Sequence, residues 1–520
     1  MSTNTKKSLS VIAALLLVAT LFVALPTPAF ADPPDPDVHI CAIYVDSGDD
    51  IGYDDLGDAL ADVGSGGMIY LLRDIEYDGN IIINDELTIE LRGFDLKLLS
   101  DHYFESTSSE GNVYVIGGGG ALTAGEVIAQ EGASLAIDAD IYTTAWGVGA
   151  YDASTLTING DIHAPNNAAL TIYDSLATMQ GDIYAASGAL VGNGSTVTIV
   201  GNIEVDYDGI HAFGEDTNVT ATGNINAGEY GIYVFDYAEV AFVGNIQAGT
   251  GVRAGYIEYT GATVSVIGDI LAFEAGVVAI LGSDVTVQGN ITATDVETGI
   301  GVIAAEESIV TVIGDIDAIL CAVAASGYSI VEVTGDITTS DAVEGIGVLT
   351  GGFSTVLIDG SIQAAIGISA GIEYDTGADV VVTGDILAIR VGVLAQNYSS
   401  IEVGGNIIAS GAEGVGVAVR YGTEVTVDGT ITALFYIAFD DIDKAIGDND
   451  ATSEKAGYRQ YSDDLIDMTS YVWVKIPPAP LPPAPTTPGT GDSLGLGLLL
   501  ISIISALGAC GFLARRRVID

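Results

Sequence analysis

Polar and apolar residues alternate through the middle of the chain in short bursts, and the bursts return at a near-fixed interval. Each burst holds two alternating Val or Ile residues, then Gly, then Asp or Asn, then Ile. The copy at Gly223 shows the pattern. Val219 and Ala221 precede the glycine, and Ile225 and Ala227 follow it. Its successor at Gly244 has Val240, Phe242, Ile246 and Ala248 in the same places. A period of two is the signature of a strand with one buried face. Glycine at the junction permits a sharp bend at positive φ. A third short segment, Gly231 to Val234, completes the unit.

The junction glycine recurs from Gly160 to Gly429 at steps of 20 to 25 residues, and Ala139 fills its place in an earlier copy. Repetition at this period means a solenoid. Three short strands in about 22 residues predict a right-handed parallel β-helix, with coils about 4.8 Å apart. Leucine-rich repeats share the period but need a Leu ladder and an Asn inside each turn. Here the ladder is Val, Ile and Ala. The left-handed hexapeptide helix needs a strict six-residue period, which is absent.

The flanks extend the pattern. Asp54 to Val63 reads as a helix, Gly66 to Leu72 as a first strand, and Ile81–Ile83 and Leu87–Leu91 as two more. This order resembles the capping helix and first coils of pectate-lyase-like β-helices. At the other end the repeat fades from about Ala433. Ala438 to Ile446 and the alternating Tyr471 to Lys475 suggest a C-terminal cap, which an open sheet edge would need to avoid aggregation. The body as a whole resembles the β-helical repeat proteins of bacterial surfaces.

Both termini read as address labels. Lys6 and Lys7, the apolar run Val11 to Leu25 and the small residues Ala29-Phe30-Ala31 predict a signal peptide cleaved between Ala31 and Asp32. Leu494 to Ala514 is an uncharged apolar run long enough to span a bilayer. Arg515, Arg516 and Arg517 follow it and predict a cytoplasmic stop. Thr487, Pro488, Gly489, Thr490 and Gly491 stand just before the run. This order resembles the sortase sorting signal of Gram-positive surface proteins, Leu-Pro-x-Thr-Gly, with Thr487 in the place of Leu. The resemblance implies cleavage between Thr490 and Gly491, and sortase and peptidoglycan as partners. Pro477 to Pro488 favours extended polyproline II and reads as a semi-rigid spacer.

The predicted organisation is therefore a signal peptide (1–31), an N-terminal segment with a cap helix (32–66), the parallel β-helix (67–432), a C-terminal cap (433–476), the spacer (477–490) and a sorting signal with membrane anchor (491–520). The expected location is the extracellular surface, anchored in wall or membrane.

Charge changes the picture of partners. The chain has 15 Lys+Arg against 70 Asp+Glu, a net charge of −55. Without the predicted leader and anchor, which hold 5 bases and 2 acids, residues 32–490 keep 10 bases and 68 acids, or −58. Residues 101–430 carry three bases only: Arg253, Arg390 and Arg420. Such a surface excludes nucleic acid as a partner. Cys41 and Cys321 are too far apart in sequence to suggest a disulfide framework, and Cys510 falls in the apolar run.

Candidate chemistry is sparse. The Asp/Asn after each glycine forms a column that includes Asp161, Asp182, Asp315 and Asp336. Stacked carboxylates admit calcium as a bridge, while Asp and Asn also suit tight bends by bonding nearby backbone. Longer excursions ending at Glu297, Glu344 and Glu413 place three loops on one side of the rod. Tyr237, Tyr328, Phe353 and Tyr398 recur seven residues before the glycine and predict an aromatic ladder open to a glycan or protein. His39, His102, His163 and His211 share no metal-ligand spacing. No nucleophile elbow or phosphate loop is present. These readings favour a non-enzymatic adhesive or structural surface rod without a cofactor. The alternatives are a carbohydrate-active enzyme, lyase or hydrolase, on a β-helix, and a passive calcium-stiffened stalk.

Overall fold

A computed structural model describes residues 34–477 except 47–48, 257–259, 372–375, 441, 464 and 466–467. The predicted leader, the sorting motif, the apolar run and its arginines lie outside the described residues, as does nearly all of the Pro-rich stretch. Among the described residues no helix is long and apolar enough to cross a membrane.

The described chain is a parallel β-helix of about 17 turns. At about 4.8 Å per turn, the rod is roughly 80 Å long. Each coil contributes to three faces. Face A holds the strands before the junction glycine, such as Asn218–Thr222 and Glu239–Val243. Face B holds those after it, such as Ile203–Val205 and Ile225–Ala227. Face C holds the third strands, such as Ile210–Phe213 and Tyr230–Phe235. In several coils faces B and C are one bent strand, as in Ile162–Tyr173 and Ile386–Ala395.

Register is strict because a slip of one residue would turn the apolar set outward. On face B an isoleucine ladder runs unbroken from Ile141 to Ile431, each residue paired with its equivalent one coil on. Every rung is buried. Face A supplies two parallel ladders, for example Val285/Val287 over Val310/Val312 over Val331/Val333. β-Branched side chains stack well on themselves in a pleated sheet, which is why the repeat selects them.

Two glycine columns let the coils close. The junction glycines sit against the backbone of the preceding coil. A Cβ on Gly244, whose φ is +144°, would fall 1.6 Å from the Gly223 carbonyl oxygen. The second column runs up face C. A Cβ on Gly231, Gly251, Gly276 or Gly301 would strike the Cγ2 of the next rung of the isoleucine ladder, at 2.1 to 2.3 Å. Sequence reading found the first column and missed the second.

Two polar ladders bind coil to coil. The Asp/Asn column is one of them. Asp161 Oδ1 accepts from the Asp182 N–H at 2.8 Å, and Asp182 Oδ1 from the Asn202 N–H at 2.6 Å. The chain continues through Asn224, Asn245, Asp269, Asn290 and Asp315 to Asp336. A buried serine column makes the other. The Ser308 Oγ accepts from the Ser283 N–H at 3.2 Å and donates to the Ala305 carbonyl at 2.7 Å.

The ends differ from the coils. A short helix, α1 (Leu56–Asp62), starts at Asp55, whose carboxylate accepts the Asp58 N–H. Cys41–Ile43 pairs antiparallel with both Ile51–Tyr53 and Gly67–Leu71. At the far end Tyr471–Lys475 adds in parallel to Glu424–Val427 and takes Tyr458–Ser462 antiparallel on its other side. Cys41 and Cys321 are free and buried, and burial pushes both thiols up to about 12.

Gly276→Ala should lower stability by about 1–3 kcal/mol through overpacking. Gly447→Ala, where an added Cβ meets nothing within 4 Å, should leave the unfolding midpoint almost unchanged. Equal midpoints for the two variants in chemical denaturation would contradict the close-packed face-C column.

Candidate functional site

The three faces fix where each candidate residue falls. Glu297, Glu344 and Glu413 are exposed on loops between faces B and C. The first two loops share a device. Asp341 Oδ1 accepts the N–H groups of Val343 at 2.8 Å and Glu344 at 3.0 Å. Those backbone bonds hold the Asp341 carboxyl below the usual range. Asp295 does the same work in the first loop, where the Thr298 hydroxyl is its main stabilising partner. The third loop has Gly411 in that place. Arg390 reaches across from two coils on, and its Nη1 donates to the Val343 carbonyl at 2.8 Å.

Tyr237, Tyr328, Phe353 and Tyr398 lie on the other edge, between faces C and A. All four occupy the left-handed region, with φ from +60° to +64°. They are 56–63% exposed. Tyr328 and Phe353 stack at 5.3 Å, and the Tyr398 ring lies over Gly422. Tyr237 stands four coils before Tyr328, so the four rings do not form one continuous column. The loops and these aromatics therefore flank face C on opposite edges.

Asp161, Asp182, Asp315 and Asp336 are rungs of the polar ladder. One oxygen of each accepts a backbone N–H from the next coil. Two unit charges one coil apart repel by about 1 kcal/mol in water. A hydrogen bond to a charged group contributes about 1.5–3 kcal/mol. The bonds outweigh the repulsion without a bridging ion. Among the described residues no three His, Cys, Asp or Glu side chains come together as metal ligands.

Face C itself carries the cluster that sequence reading overlooked. Its outward column runs, one residue per coil, through Leu190, His211, Tyr233, Arg253, Val278, Ile303, Ala324, Leu349, Ser369, Leu394 and Ala418. No acid occurs in the face-C segments between the bends from Val148 to Phe439; the nearest within a strand, Glu274, sits at the bend where Ile270–Ala279 passes from face B to face C. In a body of −58 that absence sets face C apart.

Its first half is aromatic. Tyr151 and Tyr173 stack at 6.1 Å, and Phe213 and Phe235 at 5.6 Å. His211 lies 4.7 Å from Tyr233, and Tyr233 lies 5.0 Å from Tyr230. Arg253 sits 5.8 Å and 5.9 Å from the centres of Tyr230 and Tyr233. Where this belt meets the B–C edge, a cleft of about 300 Å³ opens, with Asn166, Asn167, Ser187, Tyr207, Asp208 and His211 in its lining. Asp208 Oδ2 is 3.3 Å from His211 Nδ1. Asp208 Oδ1 and Arg253 Nε are buried and have no hydrogen-bond partner.

The signal that finds this cluster is offset from the junction glycine. His211 and Tyr233 each fall ten residues after theirs, and Arg253 nine after Gly244. Read linearly, the same residues look scattered. No family model, curated protein or solved structure matches this chain.

The loop device has a pH signature. A lowered carboxyl pKa means its contribution to loop order is complete above the ordinary value of about 3.9. It is lost as pH falls through the depressed one. NMR amide shifts of Val343 and Glu344 should titrate with a midpoint below about 3.9, and Asp341→Ala should remove the transition. A midpoint above the ordinary value would contradict the assignment.

Proposed function

We propose that this chain is a non-enzymatic, surface-anchored rod that makes adhesive or structural contacts through face C. The observation that carries the reading is the acid-free strip itself. The acids of a strongly anionic body lie on faces A and B, as at Glu204, Glu239, Asp317 and Glu332, and at the corners and loops, and a net charge of this size keeps most anionic surfaces away. A long face without acids, aromatic at one half and aliphatic at the other, is the part of the rod on which a partner pays least to displace water. The cleft lining holds a single carboxyl group, Asp208. Hydrolysis of glycosides generally needs two, which supports a binding role over the enzymatic alternative.

In this reading residues 1–31 are removed between Ala31 and Asp32 on export. The antiparallel strands at each end, with α1, cap the helix against end-to-end aggregation. The Pro-rich stretch spaces the rod from its anchor. A sortase cuts between Thr490 and Gly491 and joins Thr490 to peptidoglycan, while Leu494 to Ala514 and Arg515–Arg517 hold the chain in the membrane beforehand.

Two measurements test the reading. Chain released from the wall should end at Thr490 in mass spectrometry, and a species still carrying Leu494 to Ala514 would instead mean plain membrane anchoring. The purified chain should bind members of an array of glycans and surface proteins. The double variant Leu349→Asp, Leu394→Asp should lose at least tenfold of that binding with little change in melting temperature. Silence across the array would leave only a passive stalk.

A further inference from the structure

The cleft holds an acceptor at Asp208, and Arg253, two coils further along face C and outside the cleft lining, holds a donor; nothing in the protein uses either. Asp208 Oδ1 and Arg253 Nε are both buried and unbonded. Leaving such groups unpaired carries a desolvation cost, larger for charged groups, so a bound molecule that completes them recovers that cost. Tyr233 lies between the two charges. Burial pushes its phenol up, the Arg253 charge pulls it back, and the neighbouring tyrosines and the Asp208 carboxylate push it up again. A molecule that extends from the cleft along the column to Arg253 would therefore donate at one end and accept at the other.

Charge narrows the class. A cation would be drawn to Asp208 but repelled by Arg253, and an anion the reverse. A neutral polyol satisfies both, since each hydroxyl donates and accepts. The rest of the lining agrees: Asn166, Asn167, Ser187 and Tyr207 are amides and hydroxyls, groups that fix orientation without charge. Asp208 Oδ2 faces His211 Nδ1. With its proton on Nδ1, the ring presents Nε2 as a further acceptor. The rings of Tyr230 and Tyr233 then supply flat apolar area for the non-polar face of a sugar ring. The column His211–Tyr233–Arg253 runs along the rod axis, one residue per coil, so a chain of sugar units entering at the cleft has a track to follow.

From this juxtaposition we propose that the cleft between face C and the B–C edge is a binding site for a neutral oligosaccharide, anchored by Asp208 and His211 and continued over Tyr233 towards Arg253. The proposal rests on the adhesive reading of face C and names its ligand class.

The test is calorimetric titration of the purified full chain with neutral tetrasaccharides of glucose, mannose, galactose and N-acetylglucosamine. An acidic oligogalacturonate and the zwitterion glycine betaine serve as comparators. At least one neutral tetrasaccharide should bind at least tenfold more tightly than either comparator. Asp208→Asn, which keeps the side chain's shape, and Tyr233→Ala should each weaken binding at least tenfold. Glu332→Gln, on the outward side of face A, should not. Preference for the acidic or zwitterionic comparator, or binding indifferent to Asp208→Asn, overturns the proposal. If Tyr233→Ala melts early, Tyr233→Phe replaces it and should retain most of the affinity. Adhesion on the array without tetrasaccharide binding would reject this site and leave the adhesive reading standing, whereas silence in both would reject both.

Discussion

Everything in this rod depends on one close contact: the backbone of each coil resting on the backbone of the coil before it at the junction glycine. From Gly160 onward no side chain fits there. A Cβ at Gly181, Gly201, Gly223 or Gly244 would lie 1.6 to 2.1 Å from a carbonyl oxygen one coil away. Because the coils meet there without spacers, the next residue is delivered to the same place every time. Its Asp or Asn side chain can then reach the following coil's N–H. The isoleucine after it falls on the isoleucine below. The ladders are consequences of that contact, and the second glycine column on face C is its counterpart, cut away to admit the same isoleucines.

This division of labour frees the outward positions. Stability comes from ladders that point inward or sit at corners, and from hydrogen bonds that each coil makes to the next. The outward columns are then under little structural demand, so their composition records something else. Faces A and B carry acids such as Glu239, Glu332, Glu204 and Asp317, while the face-C segments between their bends carry none from Val148 to Phe439. Solubility accounts for acids on a surface, but not for their exclusion from one face out of three. That exclusion is the reason face C, rather than the loops or the corner aromatics, is where a partner is sought.

The fold was legible because its rule is local and repeated. The junction Gly-Asp/Asn-Ile could be read in any coil, and its period gave both the strands and their register. The short helix was read over Asp54 to Val63 and runs over Leu56–Asp62, so its ends were placed to within two residues. The three loops were correctly assigned to one edge, since extra residues between the second and third strands have only one place to go. The serine column and the face-C glycines were not read. Their neighbours in space are one coil away, and their role appears only when coils are stacked. The cleft was hidden for the same reason. Asp208, His211, Tyr233 and Arg253 span 46 residues of sequence (208 to 253) but only three adjacent coils.

The corner aromatics show why exposure alone is a poor guide to a site. Tyr237, Tyr328, Phe353 and Tyr398 are the more exposed rings, yet they share a backbone conformation that costs an L-residue roughly 1–2 kcal/mol. Other coils place glycine, or Asp216 and Glu307, at the same point. A position that accepts glycine, acid and aromatic alike is set by its bend, not by a ligand. The rings of face C are half-buried and pack against one another; His211 lies beside Asp208 and Tyr230 and Tyr233 beside Arg253, two residues that each hold a buried polar atom without a partner. A ligand can recover those unmade bonds, and it has none to recover at the corner. The physical distinction between a decorated edge and a site is therefore the presence of unsatisfied groups within reach of an apolar surface, and on this rod the face-C cleft combines the two.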